Sequence, residues 1–221
     1  MKKEFLLSLS LLFVFCSQPK KKINPKIEIF DQSIESIIDL YSEIEILADS
    51  ISLPEGPVWD EDSQSLLFVD NINNKVLKWN QTTGITDFIS PGGNTGYAPN
   101  LGEGLLGPNG MAIDSEGNLI VCQHGDRRIA MVGNTESINP NFETVVDNYN
   151  GKRLNSPNDL TIAKDGSIYF TDPAFSFFDL NTFSFVDSEL RELDFNGVYK
   201  LDIETDELNL ISNEIEVPNG L

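Results

Sequence analysis

PEGPVWDEDSQSLLFVD at residues 54–70 is matched by two later stretches, PNGMAIDSEGNLIVCQH at 108–124 and PNDLTIAKDGSIYFTD at 157–172, and by a fourth beginning, PNGL at 218–221. Each complete copy starts with a proline and a polar residue, continues through a short apolar segment and turns at an acidic or glycine-containing corner. A second apolar segment follows the corner. Apolar runs joined by such corners are typical of β-hairpins. We therefore predict one β-hairpin for each complete copy.

A second and more amphipathic pair of segments follows each hairpin. It is clearest at Gly197–Leu201 and Glu207–Ile211, which flank a turn over Asp202–Asp206. Each repeat thus holds four antiparallel strands, and the repeats begin 54, 49 and 61 residues apart. Four strands at this period are typical of β-propeller blades. We predict an all-β, propeller-type fold over residues 54–221 with three blades and the start of a fourth. Because propellers close with about 4 to 8 blades, we expect the ring to be incomplete.

The composition favours a globular and acidic protein. The 221 residues are 40% hydrophobic and 10% aromatic, which is enough for a substantial core. The formal charge of −20 argues against nucleic acid as a partner, because phosphate binding needs a basic surface. An acidic surface favours solubility and suits cations. Of the two cysteines, Cys122 lies in an apolar run and is expected to be a small buried hydrophobe, and no internal disulfide is predicted.

Residues 1–22 predict an export signal. Lys2 and Lys3 precede an apolar run, Phe5–Phe15, that is too short to span a bilayer as a helix. The run ends at Cys16, in a pattern that resembles a bacterial lipoprotein signal, although the bulky Phe15 stands where such signals carry a small residue. We predict export to the periplasm or cell envelope, and membrane attachment through a lipidated Cys16 is one of two alternatives.

Residues 23–53 connect this signal to the first repeat. Their pattern predicts a tether, a short helix at about Gln32–Leu40 and an outer strand at Ile44–Leu47. In a complete propeller such a strand would pair with the last blade and close the ring. In this chain we expect the strand to lack a partner.

The ends of the predicted hairpins carry polar residues that should meet. The innermost strand of a blade starts at one face of the ring and the second strand returns to that face, so both ends surround one mouth of the central channel. The residues placed there are Glu55, Asn109, Asn158, Asp159 and Asn219 at the starts, and Asp70, His124 and Asp172 at the ends. Their carboxylate and amide oxygens suit a hard divalent cation such as Ca²⁺. The alternative for each Asn or Asp is a turn residue that caps its own backbone, whereas Glu55 beside an apolar strand favours a functional role.

The motifs at 54–70, 151–173 and 217–221 resemble those of the gluconolactonase, senescence marker protein and luciferin-regenerating enzyme family. The resemblance covers about residues 30–221, and LIVCQHGDRRI at 119–129 is similar to the bacterial gluconolactonase branch. Several separate motifs occur in the order that the family shows. The resemblance implies a six-bladed propeller with a divalent cation as cofactor, Ca²⁺ first and Zn²⁺ as the alternative.

The resemblance also implies a metal site. Glu55 and Asn219 occupy the positions of two metal ligands, and Asn158 occupies the position of a residue that contacts the substrate or the water of the metal. We therefore place Glu55, Asn219 and Asn158 in the predicted metal set. The remaining ligand of the family, an Asp that is also its general base, would lie beyond Leu221, so no catalytic residue is assigned.

The predicted substrate-binding residues are Asn158 and three neighbours at the mouth: Asp159, His124 and Asp172. His124 has the ordinary pKa for proton transfer near neutrality, and its alternative role is a hydrogen bond to a loop carbonyl at a strand end. An arginine that some family members carry two residues before the motif asparagine is replaced by Ser156 in this sequence. Arg153 is the candidate substitute.

The implied reaction is hydrolysis of a lactone by metal-activated water, with a sugar lactone opened to an aldonic acid. One alternative is a broader esterase or organophosphate hydrolase. Another is a non-catalytic, truncated propeller or sugar-binding protein. The Phe-rich segment 175–187 is interpreted as an insertion that helps to shape the pocket, with a lid over the mouth as the alternative.

Overall fold

The computed structural model describes residues 22–23, 27–133 and 136–221. The chain divides into two compact units, one up to Asp49 and one from Ser50 onward. The predicted export signal, including Cys16, lies outside the described residues except for Lys22. No helix in the described part of the chain is long and apolar enough to cross a membrane.

The described residues of the first unit, 22–23 and 27–49, form one two-stranded sheet and one short helix. Strands β1 (Lys22–Ile23) and β2 (Ile44–Glu45) pair in antiparallel fashion. The expectation that the outer strand lacks a partner is therefore wrong, since β1 supplies one from the same unit. The predicted helix is a 3-10 helix over Gln32–Ser36, shorter than expected, which Asp31 caps by accepting a hydrogen bond from the Ser33 amide at 2.8 Å.

In the second unit, residues 50–133 and 136–221 form three four-stranded antiparallel sheets. The first sheet comprises β3 (Pro54–Asp60), β4 (Ser65–Asp70), β5 (Lys75–Asn80) and β6 (Gly84–Ile89). The second comprises β7 (Pro108–Ile113), β8 (Leu119–Gln123), β9 (Arg128–Val132) and β10 (Phe142–Val146), followed by the small pair β11 (Asn148–Tyr149) and β12 (Lys152–Arg153). The third comprises β13 (Leu160–Ile162), β14 (Ile168–Asp172), β17 (Gly197–Asp202) and β18 (Glu207–Ser212).

Between β14 and β17 the chain makes an insertion. It begins with a 3-10 turn over Phe175–Phe177 and continues into a hairpin of β15 (Phe178–Asp179) and β16 (Ser184–Phe185). In all three large sheets the strands lie side by side in chain order. The predicted units of four antiparallel strands and the all-β class are confirmed, and the six-blade ring stays a prediction.

The sheets pack face to face, and β8 shows why. Its residues are buried on both faces, and successive side chains of a strand point to opposite sides. Leu119 and Val121 join the core between the first and second sheets, whereas Ile120 and Cys122 join the core between the second and third. Cys122 is a free and fully buried thiol whose pKa is raised by burial, in agreement with its predicted role as a small hydrophobe.

Candidate functional site

The starts of the innermost strands pack directly against one another. β3 lies against β7, and β7 lies against β13. A Cβ added to Gly56 would lie 2.2 Å from the carbonyl oxygen of Asn109, so only glycine fits at this contact. The amide of Gly110 donates to the carbonyl oxygen of Asn158 at 2.7 Å. We call this line of contacts the inner seam, and it brings the predicted start residues together in repeat order.

Asp159 continues the inner seam toward the fourth motif. Its Oδ1 accepts a hydrogen bond from the Leu160 amide at 2.9 Å, and its Oδ2 accepts one from the Leu221 amide at 3.0 Å. Thr171 Oγ1 donates to the carbonyl oxygen of Asn219 at 2.6 Å. The carboxylate of Asp159 thus accepts hydrogen bonds from two backbone amides. Its assignment as a substrate-binding residue stays a prediction.

The ends of the second strands form a matching set of corners. Asp70 and Asp172 are the last residues of β4 and β14, whereas His124 directly follows Gln123, the last residue of β8, and all three are buried. Each contacts the loop that leads into its own innermost strand. We call these positions the first, second and third strand-end corners.

At the third corner, both oxygens of Asp172 accept backbone hydrogen bonds. Oδ2 accepts from the Asn155 amide at 2.8 Å and Oδ1 from the Ser156 amide at 2.7 Å. Burial raises the pKa of Asp172 to about 7, although these donors and the Arg127 guanidinium favour the charged form. Because Asp172 is fully buried and both of its oxygens are engaged, the structure gives it the role of a loop anchor. Its assignment as a substrate-binding residue remains a prediction, and the burial of its side chain argues against that role.

At the first corner, Asp70 has the same arrangement with longer bonds. It accepts from the amides of Ser52 at 3.3 Å and Leu53 at 3.4 Å, and from the Asn73 side chain at 2.8 Å. Burial acts to raise the pKa of Asp70, but the hydrogen bonds outweigh burial and the pKa lies below its ordinary value. Asp70 therefore anchors the loop before β3 as a charged carboxylate.

The second corner differs because β8 ends in Gln123 rather than in an aspartate, and the imidazole of the following His124 cannot accept hydrogen bonds from two backbone amides. His124 Nδ1 lies 3.0 Å from the carbonyl oxygen of Leu105, and Nε2 lies 3.4 Å from Nδ2 of Asn158. Burial lowers the pKa of His124 to about 4, so the ring is neutral at neutral pH. The predicted loop-carbonyl hydrogen bond is present. His124 is fully buried, and its side chain connects the corner to the inner seam through Asn158.

The predicted metal residues differ in their accessibility. Glu55 and Asn219 are exposed, whereas Asn158 is buried on the inner seam. Within the described residues, no three His, Cys, Asp or Glu side chains lie together as a metal-binding group. The predicted set supplies one carboxylate and two amides, an all-oxygen donor set that suits Ca²⁺ better than Zn²⁺.

Arg153 contacts residues that lie outside the inner seam. Its guanidinium lies 3.9 Å from Asp147 and over the ring of Tyr97, and its backbone amide donates to Glu192 at 2.7 Å. Ser156 is buried and accepts a hydrogen bond from the Ser176 amide at 3.0 Å. The role of Arg153 as a substitute for the family arginine stays a prediction.

Arg127 is a buried residue of the site region that the sequence motifs did not identify. Its Nε donates to the carbonyl oxygen of Leu154 at 2.8 Å and its Nη1 to that of Leu190 at 2.7 Å. Burial lowers the pKa of Arg127 to about 10. Arg127 thereby binds carbonyl oxygens of the same loop whose amides donate to Asp172. The available signal was its place in the HGDRRI stretch directly after the second corner.

The Phe-rich insertion lies beside the second corner. The ring of Phe175 stacks on His124 at 6.1 Å between centroids, and Phe185 stacks on Phe175 at 5.9 Å. Ser176 Oγ donates to the carbonyl oxygen of His124 at 2.6 Å. The insertion is thus attached to His124 by ring stacking and by a hydrogen bond.

A cleft of about 400 Å³ lies between the insertion and the loop before β7. It is lined by Ile72, Asn74, Asn94, Gly102, Glu103, Gly104, Leu106, Gly107, Leu180 and Asn181. Asn181 donates to Glu103 across it at 3.3 Å. The insertion therefore forms one wall of this cleft, whose lining includes none of the predicted metal or substrate residues, and its role in shaping the substrate pocket stays a prediction.

Stacked four-stranded antiparallel sheets with an oxygen-rich inner seam define a propeller-type protein. Residues 53–221 match the family described as SMP-30/Gluconolactonase/LRE-like region. The chain belongs to this family.

Three relatives show how far the similarity extends. A gluconolactonase of Zymomonas mobilis subsp. mobilis is 36% identical over 196 residues, which cover 89% of this chain and 52% of that protein. A solved gluconolactonase from Xanthomonas campestris is 26% identical with a TM-score of 0.69 and matches 90% of this chain and 61% of its own. The luciferin-regenerating enzyme, 19% identical with a TM-score of 0.52, shares the fold over 79% of this chain and 50% of its own. The chain spans about half the length of the curated relative.

Proposed function

We propose that the protein hydrolyses a lactone, with a sugar lactone opened to its aldonic acid. The observation that carries this proposal is the inner seam, a line of backbone contacts between the repeat starts that include Glu55 and Asn158, in a chain that matches the gluconolactonase family. The curated Zymomonas relative is a gluconolactonase. The Xanthomonas gluconolactonase is described as important in glucose secondary metabolic pathways.

We propose that Glu55, Asn158 and Asn219 hold a divalent cation, Ca²⁺ in preference to Zn²⁺. Their all-oxygen chemistry fits a hard cation, and the exposure of Glu55 and Asn219 leaves both accessible to solvent. When bound, such a cation polarises the lactone carbonyl and lowers the pKa of a coordinated water.

The roles proposed for the chain's own residues are binding and orientation. Asn158, which is held at its amide and carbonyl by β14 and β7, offers its side-chain oxygen to the ligand. The Phe-rich insertion covers His124 on one side and excludes water from it. The acid-base group of the reaction is not assigned to a residue of this chain.

The test is hydrolysis of glucono-δ-lactone, followed by acid release, with and without a calcium chelator. We expect the chelator to abolish turnover and added Ca²⁺ to restore it. Glu55→Gln should lower kcat/KM about a hundred-fold, because it removes the one carboxylate of the set. Glu116→Gln, the same change at an exposed hairpin turn, is the matched control and should leave the rate unchanged. Chelator-resistant turnover, or equal rates for the two variants, would contradict the proposal.

A broader esterase or organophosphate hydrolase is the second candidate. The aromatic insertion favours it, because Phe175, Phe178 and Phe185 pack together beside the cleft and Leu180 lines the cleft wall. Faster turnover of an aryl ester than of the sugar lactone would favour this candidate. Binding of the sugar lactone without turnover would instead favour a non-catalytic sugar-binding protein.

We further propose that the protein acts in the periplasm or cell envelope, with attachment to the membrane through a lipidated Cys16. The basic start, the short apolar run and the position of Cys16 support this proposal.

A further inference from the structure

His124 is the single histidine of the sequence, and it directly follows β8, whose last residue, Gln123, takes the register position of the aspartates Asp70 and Asp172 in the other two sheets. The aspartates use their oxygens to hold loop amides. His124 instead contacts one loop carbonyl and one side chain of the neighbouring repeat. These two contacts of His124 therefore link the second strand-end corner to the inner seam.

The contacts of His124 define its tautomer. The carbonyl oxygen of Leu105 can only accept a hydrogen bond, so Nδ1, which lies 3.0 Å away, must carry the proton. In the neutral ring this leaves Nε2 as an acceptor. The group facing Nε2 at 3.4 Å must then be a donor, which is the Nδ2 end of the Asn158 amide.

The backbone of Asn158 leaves little freedom except the orientation of this amide. Its N–H donates to the carbonyl oxygen of Thr171 at 2.9 Å, and its carbonyl oxygen accepts from Gly110 at 2.7 Å. A flipped amide would place Oδ1 against the Nε2 lone pair, so that two acceptors would face each other in a buried site. His124 is itself held by Phe175 and by Ser176.

We propose that His124 is a positioning residue that fixes the Asn158 amide with Nδ2 toward the ring and Oδ1 left for the ligand. A cation or a lactone hydroxyl requires an oxygen acceptor from Asn158, and the opposite orientation would present a donor. The benefit to ligand binding rests on the proposed function. The orientation of the Asn158 amide does not depend on the proposed function.

The orientation is tested by nitrogen NMR on a protein without a histidine tag, in which one imidazole gives one unambiguous set of signals. We expect Nδ1 protonated and Nε2 unprotonated in the neutral ring. The Asn158 side-chain amide signals should shift in His124→Phe, which keeps an aromatic ring against Phe175. A ring protonated at Nε2, or Asn158 amide signals that are insensitive to His124→Phe, would overturn the proposal.

The consequence for binding is tested by calorimetric Ca²⁺ titration of four proteins: wild type, His124→Phe, Asn158→Asp and the double variant. Loss of a partner that orients a ligand typically weakens metal binding by about 10- to 100-fold, which we expect for His124→Phe in the wild-type background. In the Asn158→Asp background both terminal atoms are oxygens, so His124→Phe should cost less than about two-fold. An equal loss in both backgrounds would overturn the positioning role. If the wild type binds no cation, the proposed function fails while NMR still decides the orientation.

Discussion

The first and third strand-end corners are built alike, and the second is not. Asp70 and Asp172 each accept hydrogen bonds from two backbone amides of the loop before an innermost strand. His124 instead hydrogen-bonds to the carbonyl oxygen of Leu105 and contacts Asn158 in the neighbouring repeat. The comparison teaches that an aspartate at the end of a second strand anchors the loop before the innermost strand, whereas at the second corner the strand ends in Gln123 and the following His124 contacts the inner seam.

The two aspartate corners also differ from each other in environment. Asp172 has short hydrogen bonds in a fully buried site, and burial raises its pKa. Asp70 has longer backbone hydrogen bonds, and its pKa is lowered despite burial. The same anchor is therefore expected to contribute differently to stability in the two sheets.

The largest effect should come from removing the buried anchor. Asp172→Ala leaves the amides of Asn155 and Ser156 without an acceptor in a buried site, and we expect a loss of about 3 kcal/mol in the free energy of unfolding. Asp70→Ala is the matched change at the first corner, where the backbone bonds are longer, and should cost about 1 kcal/mol. Urea unfolding measures both. Equal losses would show that burial does not distinguish the corners.

A smaller effect is expected from breaking the inner seam. Gly56 has a φ of 51°, and an added Cβ would lie 2.2 Å from the Asn109 carbonyl oxygen. Gly56→Ala should therefore cost about 2 kcal/mol, through strain and a backbone clash. Gly84 has a φ of 69° with no heavy atom within 4 Å of an added Cβ, so Gly84→Ala, with strain alone, should cost about 1 kcal/mol. If thermal unfolding ranks Gly84→Ala as the more damaging, the inner seam is not a close contact.

The strands and the corners could be predicted from sequence because both are periodic. The recurrence of proline, a polar residue and a glycine-punctuated hairpin fixed the three sheets to within a residue or two at most ends, as at Gly197–Asp202. The same recurrence located the second-strand ends. It did not distinguish an anchoring carboxylate from a ligand, because Asp172 and Glu55 are the same chemical group in different surroundings.

Contacts between distant segments could not be predicted in this way. The stacking of Phe175 on His124 joins residues 51 positions apart, and the Arg127 hydrogen bonds reach loops in the third sheet. The pairing of β2 with β1 lacked a signal because each strand has only two residues. Such contacts depend on which surfaces the sheets bring together, and no short motif encodes that arrangement.

The smallest effect follows from the pKa difference between the two aspartate corners. Burial raises the pKa of Asp172 from 3.8 to about 7, so the folded protein holds a proton that the unfolded chain has lost. The stabilisation is complete below the unfolded pKa and is lost as the pH rises through about 7. Between pH 5 and pH 7 the free energy of unfolding should fall by about 1 kcal/mol per pH unit.

Asp172→Asn should remove this slope, since an amide does not titrate in the range, whereas Asp70→Asn should not. The pKa of Asp70 is lowered, so its contribution is lost as the pH falls below its ordinary value of 3.8. Urea unfolding at half-unit intervals from pH 3 to pH 8 separates the two windows. A neutral-range slope that survives Asp172→Asn would place its origin in another group, and a slope of opposite sign would mean that the amide hydrogen bonds outweigh burial at the third corner as they do at the first.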